Sequence, residues 1–137
     1  MRVAFGTDER TALTEEVKSL LADRGHEVVV VAEADPWPDV GRRVGEAVAS
    51  GAAERGVVCC WTGTGVSIAA NKVQGVRAAL CTDAGTAEGA RRWTDANVLA
   101  FGLRLTSPAV AAEMIDAFLA AGPDADEQAN IDRVELT

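Results

Sequence analysis

Four short runs in this chain are apolar without a break: VVVVA at 28–32, VVCC at 57–60, AALC at 78–81 and VLAF at 98–101. A strand with one wet face alternates apolar and polar residues. A continuous apolar strand is covered on both faces, as in a parallel sheet whose crossover helices pack above and below. Together with the start of the chain, these runs predict strands over Arg2 to Gly6, Glu27 to Ala32, Gly56 to Cys60, Arg77 to Cys81 and Asn97 to Phe101. Helical patterns lie between them. Thr11 to Arg24 repeats apolar residues at Leu13, Val17, Leu20 and Leu21 and stops at Gly25, and Asp39 to Ala53 groups Val40, Val44, Ala47 and Val48 on one face. Gly65 to Lys72, Thr86 to Arg92 and Pro108 to Ala121 complete the set.

This alternation predicts a three-layer α/β/α, Rossmann-like domain with a five-stranded parallel sheet in the order 2-1-3-4-5. Residues 1–122 form the domain. Residues 123–137, an acidic tail, belong to it as a short terminal helix or as a partly mobile segment. In such sheets ligands bind outside the carboxyl ends of the strands where the order reverses, here between strands 1 and 3. Strand 1 ends in GTDER and strand 3 in CCWTGTG.

Composition narrows the partners. The 137 residues carry a net charge of −8, and a duplex-binding surface needs clustered Lys and Arg, so nucleic acid is not expected. No apolar run reaches the roughly 20 residues that span a bilayer, and MRVAFGTD lacks the layout of a signal peptide. A cytoplasmic protein without membrane contact is expected. Three cysteines and a single histidine, His26, show no metal-ligand spacing, and Cys59 and Cys60 are adjacent and point to opposite faces. No metal is expected.

The candidate site residues each carry two readings. The turn Thr62-Gly63-Thr64-Gly65 leads into a helix whose first N–H groups are unpaired, so it can hold an anion, or it is a plain strand-to-helix turn. As a dinucleotide fingerprint it fails, because Ile68 stands where a third glycine belongs. Cys60 is a small core residue, or a thiol beside a helix N-terminus that acts as base or nucleophile. Cys59 and Cys81 read as core. Asp8 caps the next helix or binds substrate hydroxyls. Glu9 and Arg10 are exposed, with Arg10 able to reach a ligand anion. Trp37 and Trp93 pack under loops or wall a pocket. Arg91 and Arg92 read as a solvated helix face, and Arg104, at the carboxyl end of strand 5, is the better anion-binding residue.

TGTGVSIAANKVQGVRAALC (Thr62 to Cys81), with VAFGTD near the start and DANVLAFGLR (Asp95 to Arg104), resembles the ribose-5-phosphate isomerase B / galactose-6-phosphate isomerase family. The resemblance runs from Met1 to about Gly122. It implies interconversion of aldose and ketose sugar phosphates through a cis-enediolate, with no metal or organic cofactor. It implies a homodimer with sites built from both subunits, with a tetramer as the alternative. Cys60 falls at the thiol base of the family's cysteine branch, and Val66 stands where another branch carries a glutamate. Backbone N–H groups of Gly63, Thr64, Gly65 and Val66 would hold the enediolate oxygens. Thr62 matches the proton-relaying hydroxyl, Asp8 the substrate-binding aspartate, and Arg104 and Arg133 two phosphate-binding arginines.

The departures fall around the same site. Glu9 replaces a histidine after Asp8. Trp93 and Thr94 replace the ring-opening histidine and the asparagine after it. Trp37 replaces a pocket tyrosine, Trp61 a glycine, and Ala129 aligns loosely with a further phosphate-binding arginine. Activity on ribose 5-phosphate itself is therefore expected to be weak or absent, with a small-molecule carbohydrate substrate that is already open-chain, is a different sugar or sugar acid, or lacks phosphate. Epimerisation or tautomerisation of another carbonyl compound, and a catalytically silent partner subunit, are the alternatives.

Overall fold

Strands and helices alternate from the first residues: β1 (Arg2–Thr7), α1 (Ala12–Asp23), β2 (Glu27–Glu33), α2 (Trp37–Ala49), β3 (Arg55–Cys60), α3 (Thr64–Asn71), β4 (Ala78–Leu80), α4 (Ala84–Thr94), β5 (Val98–Gly102) and α5 (Pro108–Ala120). A 3₁₀ turn at Ala125–Glu127 and α6 (Gln128–Glu135) follow. The computed structural model describes residues 1–135. All strand pairs are parallel.

The sheet order is β2-β1-β3-β5-β4, which corrects the expected 2-1-3-4-5. The reason lies in the two strands themselves. Val98, Leu99, Ala100 and Phe101 are each fully buried, so β5 takes the interior place between β3 and β4. β4 is three residues long and only partly covered, and a short strand is what a sheet edge tolerates best. The order still reverses between β1 and β3.

The two faces of the sheet carry separate cores. Val3, Phe5, Val57, Cys59, Leu99 and Phe101 pack with α1, α4 and α5, around Val17, Leu21, Met114, Ile115 and Phe118. Ala4, Val58, Cys60, Val98 and Ala100 pack with α2 and α3, around Val40, Val44, Val66 and Ala70. Cys59 and Cys60 thus face opposite layers, as adjacent strand residues must.

Helix starts follow local chemistry. Thr11 caps α1 through a capping box with Thr14, so Asp8 is not the cap. Asp83 and Ser107 cap α4 and α5. α2 starts at Trp37, two residues earlier than expected, with Pro38 in its first turn. α4 runs on to Thr94, which places Trp93 and Thr94 on the helix and not after it.

Arg91 corrects another expectation. It is 2% exposed, not part of a solvated face. Its guanidinium donates to Ala96 O (2.6 Å), Asp95 Oδ1 (2.8 Å) and Ala121 O (3.1 Å), tying the end of α4 to the end of α5. Arg92 is exposed and pairs with Asp124, and the Asp124 amide donates to Arg92 O. Arg77 reaches Asp95 and Glu135, so α6 is anchored beside the amino end of β4. Among the described residues, no helix is long and apolar enough to cross a membrane, and no cluster of His, Cys, Asp or Glu is arranged to hold a metal ion.

Candidate active site

β3 lies at the centre of the sheet and delivers Cys60 to its carboxyl end, where the residue is 5% exposed. The chain then leaves the sheet through Trp61 and Thr62 and turns at Gly63. Gly63 has φ +79°, and a Cβ there would lie 2.6 Å from the Phe101 carbonyl carbon and 2.9 Å from Gly102 N. The turn therefore rests directly on the end of β5, and only glycine satisfies both the angle and the space. Leu103 N–H donates to Cys60 O and Arg104 N–H to Trp61 O, each at 2.9 Å, so the β3 and β5 exits are zipped together.

Gly63 is the N-cap of α3 and supplies no side chain to cap it. The N–H groups of Thr64, Gly65 and Val66 have no carbonyl within the helix to donate to. The Thr62 hydroxyl lies 2.7 Å from the Thr64 hydroxyl and 3.5 Å from Thr64 N. The result is a small donor cluster at the positive end of a helix dipole. Val66 turns its own side chain into the core, fully buried, beside Cys60.

Asp8 stands next to this cluster. Thr7 is the register partner of Cys59, and Asp8 N–H donates to Cys59 O at 3.4 Å. Asp8 Oδ1 is buried and has no hydrogen-bond partner among the described residues. Burial, then the nearby Glu9 carboxylate, push the Asp8 carboxyl above its ordinary 3.8. A buried carboxylate oxygen without a donor is costly and suits a ligand hydroxyl. By contrast, burial drives the thiols of Cys59 and Cys81 up to about 12 and about 11, which leaves both protonated and inert.

The remaining residues divide. Arg104 and Trp61 line one cleft of about 410 Å³ with Thr62. Trp37 is placed against the turn from the other side: a Cβ on Gly65 would lie 2.8 Å from the Trp37 ring. Glu9 and Arg10 are both exposed, as expected, and the Arg10 guanidinium is paired with Glu15 (3.3 Å) and Glu33 (3.2 Å). Trp93 lies in a groove between α4 and β4, and Thr94 faces the groove at the amino end of β4, so neither is brought to Cys60 within the chain. Arg133 is exposed on α6, next to Val134 in that same amino-end groove. Leu80 and Leu105, which line the cleft, were not singled out from the sequence. Their signal was there, since both fall at strand exits beside candidate residues.

A family model described as Ribose/Galactose Isomerase matches residues 3–136. The chain belongs to this family. It is 42% identical to galactose-6-phosphate isomerase subunit LacB of Clostridium acetobutylicum over 77% of this chain and 63% of that protein, so it spans less than two thirds of that relative. It is 38% identical to ribose-5-phosphate isomerase B of Escherichia coli over 88% of this chain and 84% of the other. It is 35% identical to a 4-deoxy-4-sulfo-D-erythrose isomerase of a Clostridium species, over 89% and 80%. The structure of ribose-5-phosphate isomerase B from Clostridium thermocellum superposes with a TM-score of 0.92 at 35% identity, covering 99% of this chain and 96% of that one.

Proposed function

We propose that this member of the ribose/galactose isomerase family interconverts an aldose and a ketose of a small, anion-bearing carbohydrate through a cis-enediolate, with Cys60 as the base. One observation carries the reading. At the β1/β3 switch point the fold brings together a strand-tip thiol, a buried carboxylate oxygen without a donor, and an uncapped helix N-terminus. The named relatives support it at a coarser level: they are isomerases of galactose 6-phosphate, ribose 5-phosphate and a sulfo-erythrose.

In this reading the Cys60 thiolate removes the proton from C2 of the aldose. The C–H electrons form the C1–C2 double bond, and the carbonyl electrons move to O1. The N–H groups of Gly63 to Val66 stabilise the developing oxyanion. Thr62, already hydrogen-bonded to Thr64, relays the O2 proton to O1, and Cys60 returns its proton to C1. Electrons balance within the substrate, so the step calls for no external oxidant. Asp8 accepts a substrate hydroxyl. Trp37, Trp61 and Arg104 surround the same turn.

Glu9, Trp93 and Thr94 supply no ring-opening imidazole. General acid–base help is worth about 10²–10⁴-fold, so turnover of cyclic ribose 5-phosphate is expected to be weak. Arg133 reaches the site only if a second copy supplies it. A homodimer with shared sites is therefore part of the proposal, and the exposed Ile68, Trp93 and Val134 give it apolar surface to cover. Light scattering after gel filtration reads that mass directly. The activity is tested by NMR in D₂O with pentoses, tetrose phosphates and pentose phosphates. Deuterium should enter at C1 or C2 with the wild type and not with Cys60→Ala. Exchange that survives Cys60→Ala removes Cys60 as the base.

A further inference from the structure

Among the described residues three polar or charged side chains are buried: Thr7, Thr14 and Arg91. Thr14 completes the capping box of α1, and Arg91 ties the end of α4 to the end of α5. Thr7 serves the exit of β1. Its hydroxyl donates to Glu9 O at 2.7 Å and accepts from Glu9 N–H at 3.3 Å, so one oxygen closes the backbone on the far side of Asp8. Thr7 itself is fixed in the sheet. It pairs with Glu33 and Cys59, and Ala34 N–H donates to its carbonyl at 3.0 Å. Asp8 is held less tightly. Its N–H reaches Cys59 O only at 3.4 Å, and its buried Oδ1 receives no hydrogen bond among the described residues. A carboxylate oxygen in that state gains by turning back to water. The backbone on either side of Asp8 is what opposes that turn.

We propose that Thr7 is a positioning residue of the site: its buried hydroxyl holds the Thr7–Glu9 turn closed and so keeps the Asp8 carboxylate withdrawn from water beside Cys60, where a substrate hydroxyl would meet it. Register carries the geometry. Thr7 is paired with Cys59, so Asp8, one place on, comes level with Cys60. Alternation along β1 turns the Thr7 side chain to the layer of Val3 and Phe5, opposite the layer that holds Cys60. Thr7 therefore acts from behind the sheet, through Asp8, and not on the substrate. An acceptor already stripped of water offers a substrate hydroxyl a hydrogen bond with little ordering left to do on binding. The inference rests on the isomerase reading only for what Asp8 binds.

The test compares Thr7→Val, which keeps the shape and removes the hydroxyl, with Thr7→Ser, which keeps the hydroxyl. The Asp8 carboxyl is titrated by carbon-13 NMR in the full-length protein without any sugar. Burial and the Glu9 carboxylate lift its midpoint above 3.8 in the wild type. Thr7→Val should return it toward 3.8 as the opened turn rehydrates the group, and Thr7→Ser should hold the wild-type midpoint. Kinetics give the second readout, as deuterium incorporation into D-erythrose 4-phosphate, whose esterified O4 keeps it out of a furanose ring. Thr7→Val should raise KM about 10-fold and change kcat far less, and Thr7→Ser should restore KM. In an Asp8→Asn background Thr7→Val should change KM by less than about 2-fold, because a residue that acts through the carboxylate has no effect once it is gone. An Asp8 midpoint that Thr7→Val leaves in place, or a KM loss that adds in full to that of Asp8→Asn, would overturn the proposal. Thr7→Ala also removes the hydroxyl and carries the same test if Thr7→Val does not fold. The titration needs no substrate. It decides the positioning even where the wild type exchanges no deuterium, an outcome that counts against the isomerase reading alone.

Discussion

Replacing Gly63 by alanine asks whether the turn after Cys60 is held by steric contact with β5 or only by backbone preference. A non-glycine residue in the left-handed region costs about 1–2 kcal/mol, and the stiffer unfolded chain returns about 0.4–1 kcal/mol, for a net loss near 1 kcal/mol. At Gly63 there is a second cost. The new Cβ would meet the Phe101 carbonyl carbon at 2.6 Å and Gly102 N at 2.9 Å. These are backbone atoms of a strand bonded to β3 on one side and β4 on the other, so they cannot step aside. Forced overpacking adds about 1–3 kcal/mol. Gly75 is the matched control, with φ +85° and nothing within 4 Å of a Cβ. Thermal unfolding should show Gly75→Ala lowered by roughly 3–4 °C and Gly63→Ala by roughly 10 °C, at about 3–4 °C per kcal/mol for this chain length. Deuterium exchange on the best substrate should fall about 100-fold or more in Gly63→Ala, because displaced amides no longer meet the oxyanion, and stay near wild type in Gly75→Ala. Equal melting losses in the two variants would show that the contact with β5 does not constrain the turn.

Cys59→Ala should keep deuterium exchange intact while lowering stability by about 1–2 kcal/mol in urea titration, since its thiol is fully buried on the opposite face from Cys60. Asp8→Asn should weaken substrate binding yet raise the melting temperature at pH 7. Burial lifts the folded carboxyl above 3.8, so the folded chain holds that proton more tightly than the unfolded one. Ionisation therefore destabilises the fold as pH rises through the lifted value, and the gain from Asn should vanish below about pH 3.8. Arg91→Met should cost about 3 kcal/mol in the same titration, because it orphans the Ala96 and Ala121 carbonyls and removes one partner of Asp95, with no change in exchange per folded molecule.

Much of the architecture was legible because burial on both faces writes itself into composition. VVCC and VLAF suit strands covered on both faces, and the reversal between β1 and β3 puts GTDER beside CCWTGTG on topology alone. What composition did not encode was lateral order. AALC and VLAF look alike as strings, and only their coverage in the fold shows that β5 is interior and β4 an edge. That one exchange carries functional weight. With β4 next to β3, Arg104 would stand two strands from Cys60. With β5 there, Arg104 N–H donates to Trp61 O, and Leu105 and Leu80 close a cleft against Thr62. Arg91 was misread for a related reason: a charged residue at a helix end looks solvated until the carbonyls of two converging chain segments need a donor. Trp61 is where both kinds of reasoning meet. As a letter it was only a large residue where a glycine is expected. In the fold it follows Cys60 directly, accepts from Arg104 N–H at 2.9 Å and lines one cleft with the Arg104 side chain, so on the proposed reading a substitution at this one position alters the space beside the turn that would hold the substrate.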